Sequence, residues 1–101
     1  MRKLTEQDIT VLIGTNIKGY VIENARIKEG IFTDSDHYGI LLGKDDSGDY
    51  VTWQFHLDDE ELSVYWGHYF MENKESALHD FKIRGLDNAD NSDAKGGDTV
   101  D

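Results

Sequence analysis

Residues 50–71 read YVTWQFHLDDEELSVYWGHYFM, and their side chains alternate. Val51, Trp53, Phe55 and Leu57 are separated by Thr52, Gln54 and His56, a period of two that marks a strand with one apolar face. Four carboxylates, Asp58, Asp59, Glu60 and Glu61, interrupt the pattern, which resumes at Leu62, Val64, Trp66, His68 and Phe70. A hairpin centred between Asp59 and Glu60 pairs Leu57 with Leu62, Phe55 with Val64 and Trp53 with Trp66, all on one face. A slip of one residue would scatter these apolar side chains over both faces. In this register Gly67 stands opposite Thr52, Tyr65 and Tyr69 share the face of Tyr50 and Gln54, and His56 and His68 point to opposite faces. Seven of the eleven aromatic residues fall in this stretch, so it supplies the core.

The flanking segments complete an α+β domain. Thr5 and Asp8 suit a capping box, with Leu4 and Ile9 as the staple, Ile9, Leu12 and Ile13 as the buried stripe and Gly14 as the stop, while the β-branched Val11 and Ile13 leave a strand over residues 10–13 as the alternative. Residues 19–27 read as a strand of imperfect alternation, placed at an edge or beside a bulge. Residues 28–30 and 33–36 read as turns, and Ile31 and Phe32 continue the pairing between them. Residues 38–44 form the next strand, and a two-residue loop at Ser47 and Gly48 would pair Leu42 with Trp53 and Ile40 with Phe55. Residues 73–84 form a second helix, capped by Asn73, stopped by Gly85 and carrying Ala77, Leu78 and Phe81 on one stripe. The expected architecture is an antiparallel meander of three to four strands with a short N-terminal helix and a C-terminal helix packed on it. Residues 1–85 make the domain. Residues 86–101, with five aspartates and one lysine, make an acidic disordered tail.

Charge narrows the partners. The net charge is −11, and the tail carries −4 of it, which leaves −7 on the body. Such a surface repels nucleic acid and anionic membranes and suits a basic protein groove. The chain has no cysteine, so it offers neither a disulfide framework nor a thiolate, in keeping with a reducing cytoplasm. No apolar run approaches the roughly 20 residues needed to span a bilayer, and the N-terminus has no apolar stretch of a signal peptide.

The partner-binding candidates are the apex Asp58, Asp59, Glu60 and Glu61, the turn carboxylates Asp45, Asp46 and Asp49, and the aromatic pair Tyr65 and Tyr69. Consecutive carboxylates on a hairpin tip imitate backbone phosphates or plug a basic pocket, whereas the plainer role of such a tip is a solvated turn that deters edge-to-edge aggregation. The aromatic face is either core under a helix or an open platform for a protein partner or a homodimer. The four histidines lack metal-ligand spacing, so no metal is expected. Asp34, Asp36, Gly39 and Asp45 match part of a calcium loop, but Tyr38 stands at a ligand position and a strand follows. No serine lies in a nucleophile elbow and no Gly-rich loop follows a strand, so neither catalysis nor a cofactor is expected.

The segments YVTWQF, YWGHYF and ALHDF together resemble small proteins carried by plasmids and phages of Gram-positive bacteria. The likeness spans residues 50–81. In size, charge and setting the chain is also similar to anti-defence proteins such as the type II-A anti-CRISPRs that inhibit Cas9. That resemblance implies a non-enzymatic inhibitor whose carboxylates occupy a basic channel meant for nucleic acid. It also implies Cas9 or its guide-RNA complex as the partner, with no direct binding to DNA.

Overall fold

The computed structural model describes residues 2–28 and 35–84. The fold is α+β: a short helix, a five-stranded antiparallel sheet curled into a half-barrel, and a C-terminal helix packed on the sheet. The elements are α1 (Glu6–Leu12), β1 (Asn16–Ile17), β2 (Tyr20–Ile27), a 3-10 turn (Ser35–His37), β3 (Gly39–Lys44), β4 (Tyr50–Asp58), β5 (Glu61–Tyr69) and α2 (Lys74–Arg84). The strands pair strictly in chain order, β1 to β5. Residues 29–34, with the continued pairing at Ile31 and Phe32 and part of each adjoining turn, lie outside the described residues, as do the expected stop at Gly85 and the whole of the tail.

Helix α1 forms as its cap predicts. The Thr5 hydroxyl accepts from the Asp8 amide and the Asp8 carboxylate accepts from the Thr5 amide, satisfying two N-terminal donors. Arg2 then binds the same carboxylate in a fork, at 2.9 and 2.8 Å. Ile9 and Leu12 are buried, but Ile13 is the C-cap and is exposed. The stripe is thus one residue shorter than its periodicity suggests.

The extra strand is β1. It has only two residues, too few to show a period, and a Lys18-Gly19 turn joins it to β2 with both residues at positive φ. Such a two-residue turn matches the twist of the strands it links. The Asn16 side chain steadies it by accepting from the Gly19 amide at 3.1 Å. Strand β2 carries the expected irregularity as a register shift between Ile22 and Asn24.

The β3–β4 register departs from expectation by one residue. Leu41 stands opposite Trp53 and Leu42 opposite Thr52. The cause is the turn. Asp45 and Asp49 pair through the Asp45 amide and the Asp49 carbonyl at 2.9 Å, so three residues close the hairpin, and Gly48 takes φ +91°. The slip sends Ile40 and Leu42 to the face opposite Trp53 and Phe55. The run Ile40-Leu41-Leu42 is apolar on both sides because both sides are covered.

Each sheet face therefore has its own core. On one face Leu41, Val51, Trp53, Phe55 and Leu57 pack with Ile22, Ala25 and the α1 residues Ile9 and Leu12. On the other, Ile40, Leu42 and Tyr50 pack with Ala77 and Phe81 of α2. The second face is partly covered by α2, as one of the two expectations had it. Arg26 lies over the Phe81 ring, 5.9 Å from its centroid, and closes the rim.

Candidate functional site

Strand β5 holds the residues that set the site. Leu57 faces Leu62 and Phe55 faces Val64 as the hairpin pattern predicts. The third predicted pair, Trp53 with Trp66, does not form. A bulge sets both Trp66 and Gly67 against Trp53, and His68, not Gly67, stands opposite Thr52. The Trp53 indole is buried, and a Cβ on Gly67 would lie 2.9 Å from its Nε1 and 2.7 Å from the Tyr69 hydroxyl. The space beside Gly67 is taken by the Trp53 indole and the Tyr69 hydroxyl. Gly67 makes room for them, and Trp66 turns out to solvent.

The bulge corrects two further expectations. It returns His68 to the face of His56, so both histidines point the same way. It also separates the two tyrosines: Tyr65 stays beside Gln54, whereas Tyr69 pairs with Val51 and lies on the opposite face. Tyr65 and Tyr69 do not form one platform.

A polar network fastens α2 beside the bulge. Asp80 accepts from the buried Thr52 hydroxyl at 2.6 Å and lies 2.9 Å from His68 Nδ1. Arg84 donates to the Thr52 carbonyl and hydroxyl, and its other Nη donates to the Trp66 carbonyl at 2.9 Å. Burial pushes the Asp80 carboxyl up, but hydrogen bonds from His68 and Thr52 and the charges of His68 and Arg84 outweigh it and hold the carboxyl below its ordinary value. Thr52 is fully buried, so this Thr–Asp–His arrangement presents no accessible nucleophile.

Beyond α2 the same sheet face carries a row of rings. Tyr38 meets His56 edge to face, His56 meets Tyr65 at 5.5 Å, and Tyr65 meets Trp66 at 5.1 Å with planes at 87°. The Tyr65 hydroxyl lies 3.1 Å from His56 Nδ1. Burial raises the Tyr65 phenol above its ordinary value, eased by a hydrogen bond with Gln54. The row runs into the acidic apex, since His56 Nε2 is 3.5 Å from Asp58 Oδ2 and Asp58 pairs with Glu61.

Asp58, Asp59, Glu60 and Glu61 are all exposed on the β4–β5 turn, with Asp59 at φ +59°. Arg2 Nε donates to the Asp59 carbonyl at 2.7 Å while its fork holds Asp8, tying this tip to α1. The other acidic group is different in kind. Asp45 Oδ1 accepts from the Ser47 and Asp49 amides, both at 2.9 Å, so this carboxylate builds its own turn. Asp46 is exposed and Asp49 half-exposed. Nine residues of β4 part the two groups by roughly 27 Å, so no single small patch contains both.

Among the described residues no three His, Asp or Glu side chains converge as metal ligands, and no helix is long and apolar enough to cross a membrane. Set against family models, curated proteins and solved structures, the chain matches none. Trp66 is the first residue of β5 that the alternation misplaces. Its only local signal is the adjacent Gly67, because a glycine inside a strand often marks a bulge or a close approach.

Proposed function

We propose that this chain is a small, non-enzymatic anti-defence protein of a mobile genetic element. It binds a basic, nucleic-acid-binding surface of a nuclease in the cytoplasm. A Cas9-type effector is the target favoured by its size, its charge and the motif likeness of residues 50–81. The observation that carries this reading is the exposed row Asp58, Asp59, Glu60 and Glu61, presented on a turn that Arg2 ties to α1. A tip ordered before binding loses less entropy on docking than a mobile one. The net charge of −11 adds long-range steering toward a basic groove.

The test is inhibition of Cas9 DNA cleavage, with the protein added before or after guide loading, at low and high salt. Charge reversal of Asp58, Asp59, Glu60 and Glu61 to Lys is expected to raise the inhibitory concentration at least about tenfold, the equivalent of about 1.4 kcal/mol, with an unchanged circular-dichroism spectrum. Inhibition that survives reversal removes the apex from the interface. Absence of inhibition in every order of addition, across several Cas9 orthologues, removes the nuclease target.

A second reading is supported by the exposed Trp66: an accessory module that binds a protein partner through its aromatic face. Salt separates the two, since a charge-driven interface weakens steeply with ionic strength and an apolar one hardly responds.

A further inference from the structure

A bulky residue at positive φ is a backbone outlier, held only where the surrounding structure compensates its cost. Trp66 has φ +57° and is 64% exposed. In bulges of this kind the residue at positive φ is normally glycine. Here glycine comes one position later, and tryptophan takes the strained place. The arrangement is held in three ways: Arg84 binds the Trp66 carbonyl, the Tyr65 ring meets the indole edge to face, and Trp53 fills the space above Gly67. Nothing in the core needs this indole, because Trp53 already fills that position and is buried. Chain strain and an ordered support thus serve to hold one large aromatic side chain in water.

What the indole meets is set by its neighbours. The ring row from Trp66 through Tyr65 and His56 ends at the carboxylates of Asp58 and Glu61 on the same sheet face. The exposed indole and the Glu61 carboxylate lie five residues apart on β5, roughly 16 Å, with the half-buried Tyr65 and His56 rings between them, so the row can receive more than one cation. The planar guanidinium fits both ends better than an ammonium, because one can stack on the Trp66 ring while another meets a carboxylate with its N–H fork. We propose that Trp66, with Tyr65, His56, Asp58 and Glu61, receives arginine side chains of a basic protein segment. This deepens the reading above, resting on it only in taking the partner to be basic. It assigns the anchor to Trp66, in line with the weight that tryptophan carries at interface centres.

The probe is an oligo-arginine peptide, titrated into the full chain at about 0.15 M salt and followed by tryptophan emission and by calorimetry. Trp53 is buried, so an emission change reports Trp66. The decisive variant is Trp66→Gly, which accepts the positive φ without strain. The expected result is binding to the wild type and at least about tenfold weaker binding to Trp66→Gly. Oligo-lysine is expected to bind the wild type more weakly than oligo-arginine, and the Tm of the variant to equal or exceed that of the wild type.

Equal affinity of wild type and Trp66→Gly, with binding lost on reversal of Asp58 and Glu61, overturns the receptor and leaves the acidic reading standing. No binding of oligo-arginine to the wild type also overturns the receptor, while the nuclease assay still decides the reading it rests on. A lower Tm for Trp66→Gly makes the indole a packing residue and overturns the proposal. So does a concentration-dependent mass in sedimentation that Trp66→Gly abolishes, since a second copy would then be the occupant.

Discussion

Two glycines show how single residues decide this sheet. Gly39 sits where β3 passes between β2 and the Phe55 ring, and a Cβ there would run into that ring and lie 2.6 Å from the Arg26 carbonyl. Its presence two residues after His37 is thus explained by packing. Phe55 is fully buried and Arg26 O is backbone, so neither gives way cheaply. Gly39→Ala is therefore expected to cost about 1–3 kcal/mol or more, read as a lower denaturation midpoint at unchanged m-value. Gly67 plays the matching part on β5, but there the result is a bulge and an outward Trp66. Gly67 stands out within the strand, yet the alternation runs straight through it, because a period carries no information on the volume of the Trp53 indole.

At the scale of elements, α1 was legible almost completely. Its cap and capping box depend on neighbours within one turn, and the helical period marks Ile9 and Leu12 as the stripe that the sheet then buries. The Asp8 carboxyl is held down to about 2, chiefly by its hydrogen bond with Arg2, against burial that pushes it up and with further help from Thr5. A carboxyl depressed from 3.8 contributes stability that is present above 3.8 and is lost as pH falls through about 2. Asp8→Asn is expected to flatten the acid limb of a stability-against-pH curve within that window, while leaving the curve near neutrality parallel to that of the wild type. Thr5→Ala is expected to cost about 1 kcal/mol at neutral pH, measured by denaturant unfolding. The β3–β4 hairpin was legible in its strands but not in its register. One residue added to the loop by the Asp45–Asp49 pairing moved Ile40 and Leu42 to the other face.

For the whole molecule, charge is the governing quantity. A body at −7 of a total −11 repels itself when folded. Screening by salt is expected to stabilise it, and each 1 kcal/mol relieved would raise Tm by about 4–8 °C in a domain of this size. Scanning calorimetry across rising NaCl checks this, and a flat or falling Tm would show the carboxylates already balanced locally. Stability and binding should then respond to salt in opposite directions, since the same screening weakens attraction to a basic partner.

Local chemistry determined the α+β class, the N-terminal helix caps Thr5 and Asn73, the β4–β5 hairpin up to Val64 and the acidic apex. Each of these follows from contacts a few residues apart or from a period that the strand itself imposes. Tertiary structure alone decided which face each residue of β3 takes and how β5 continues past Val64. It also decided where α2 is fastened. The bonds from Asp80 and Arg84 to Thr52 span 28 and 32 residues, and the outward turn of Trp66 goes with a bulge at which Gly67 lies against the Trp53 indole. Volume exclusion and hydrogen bonds across such separations exist only once the sheet is closed, so no periodicity in the chain encodes them.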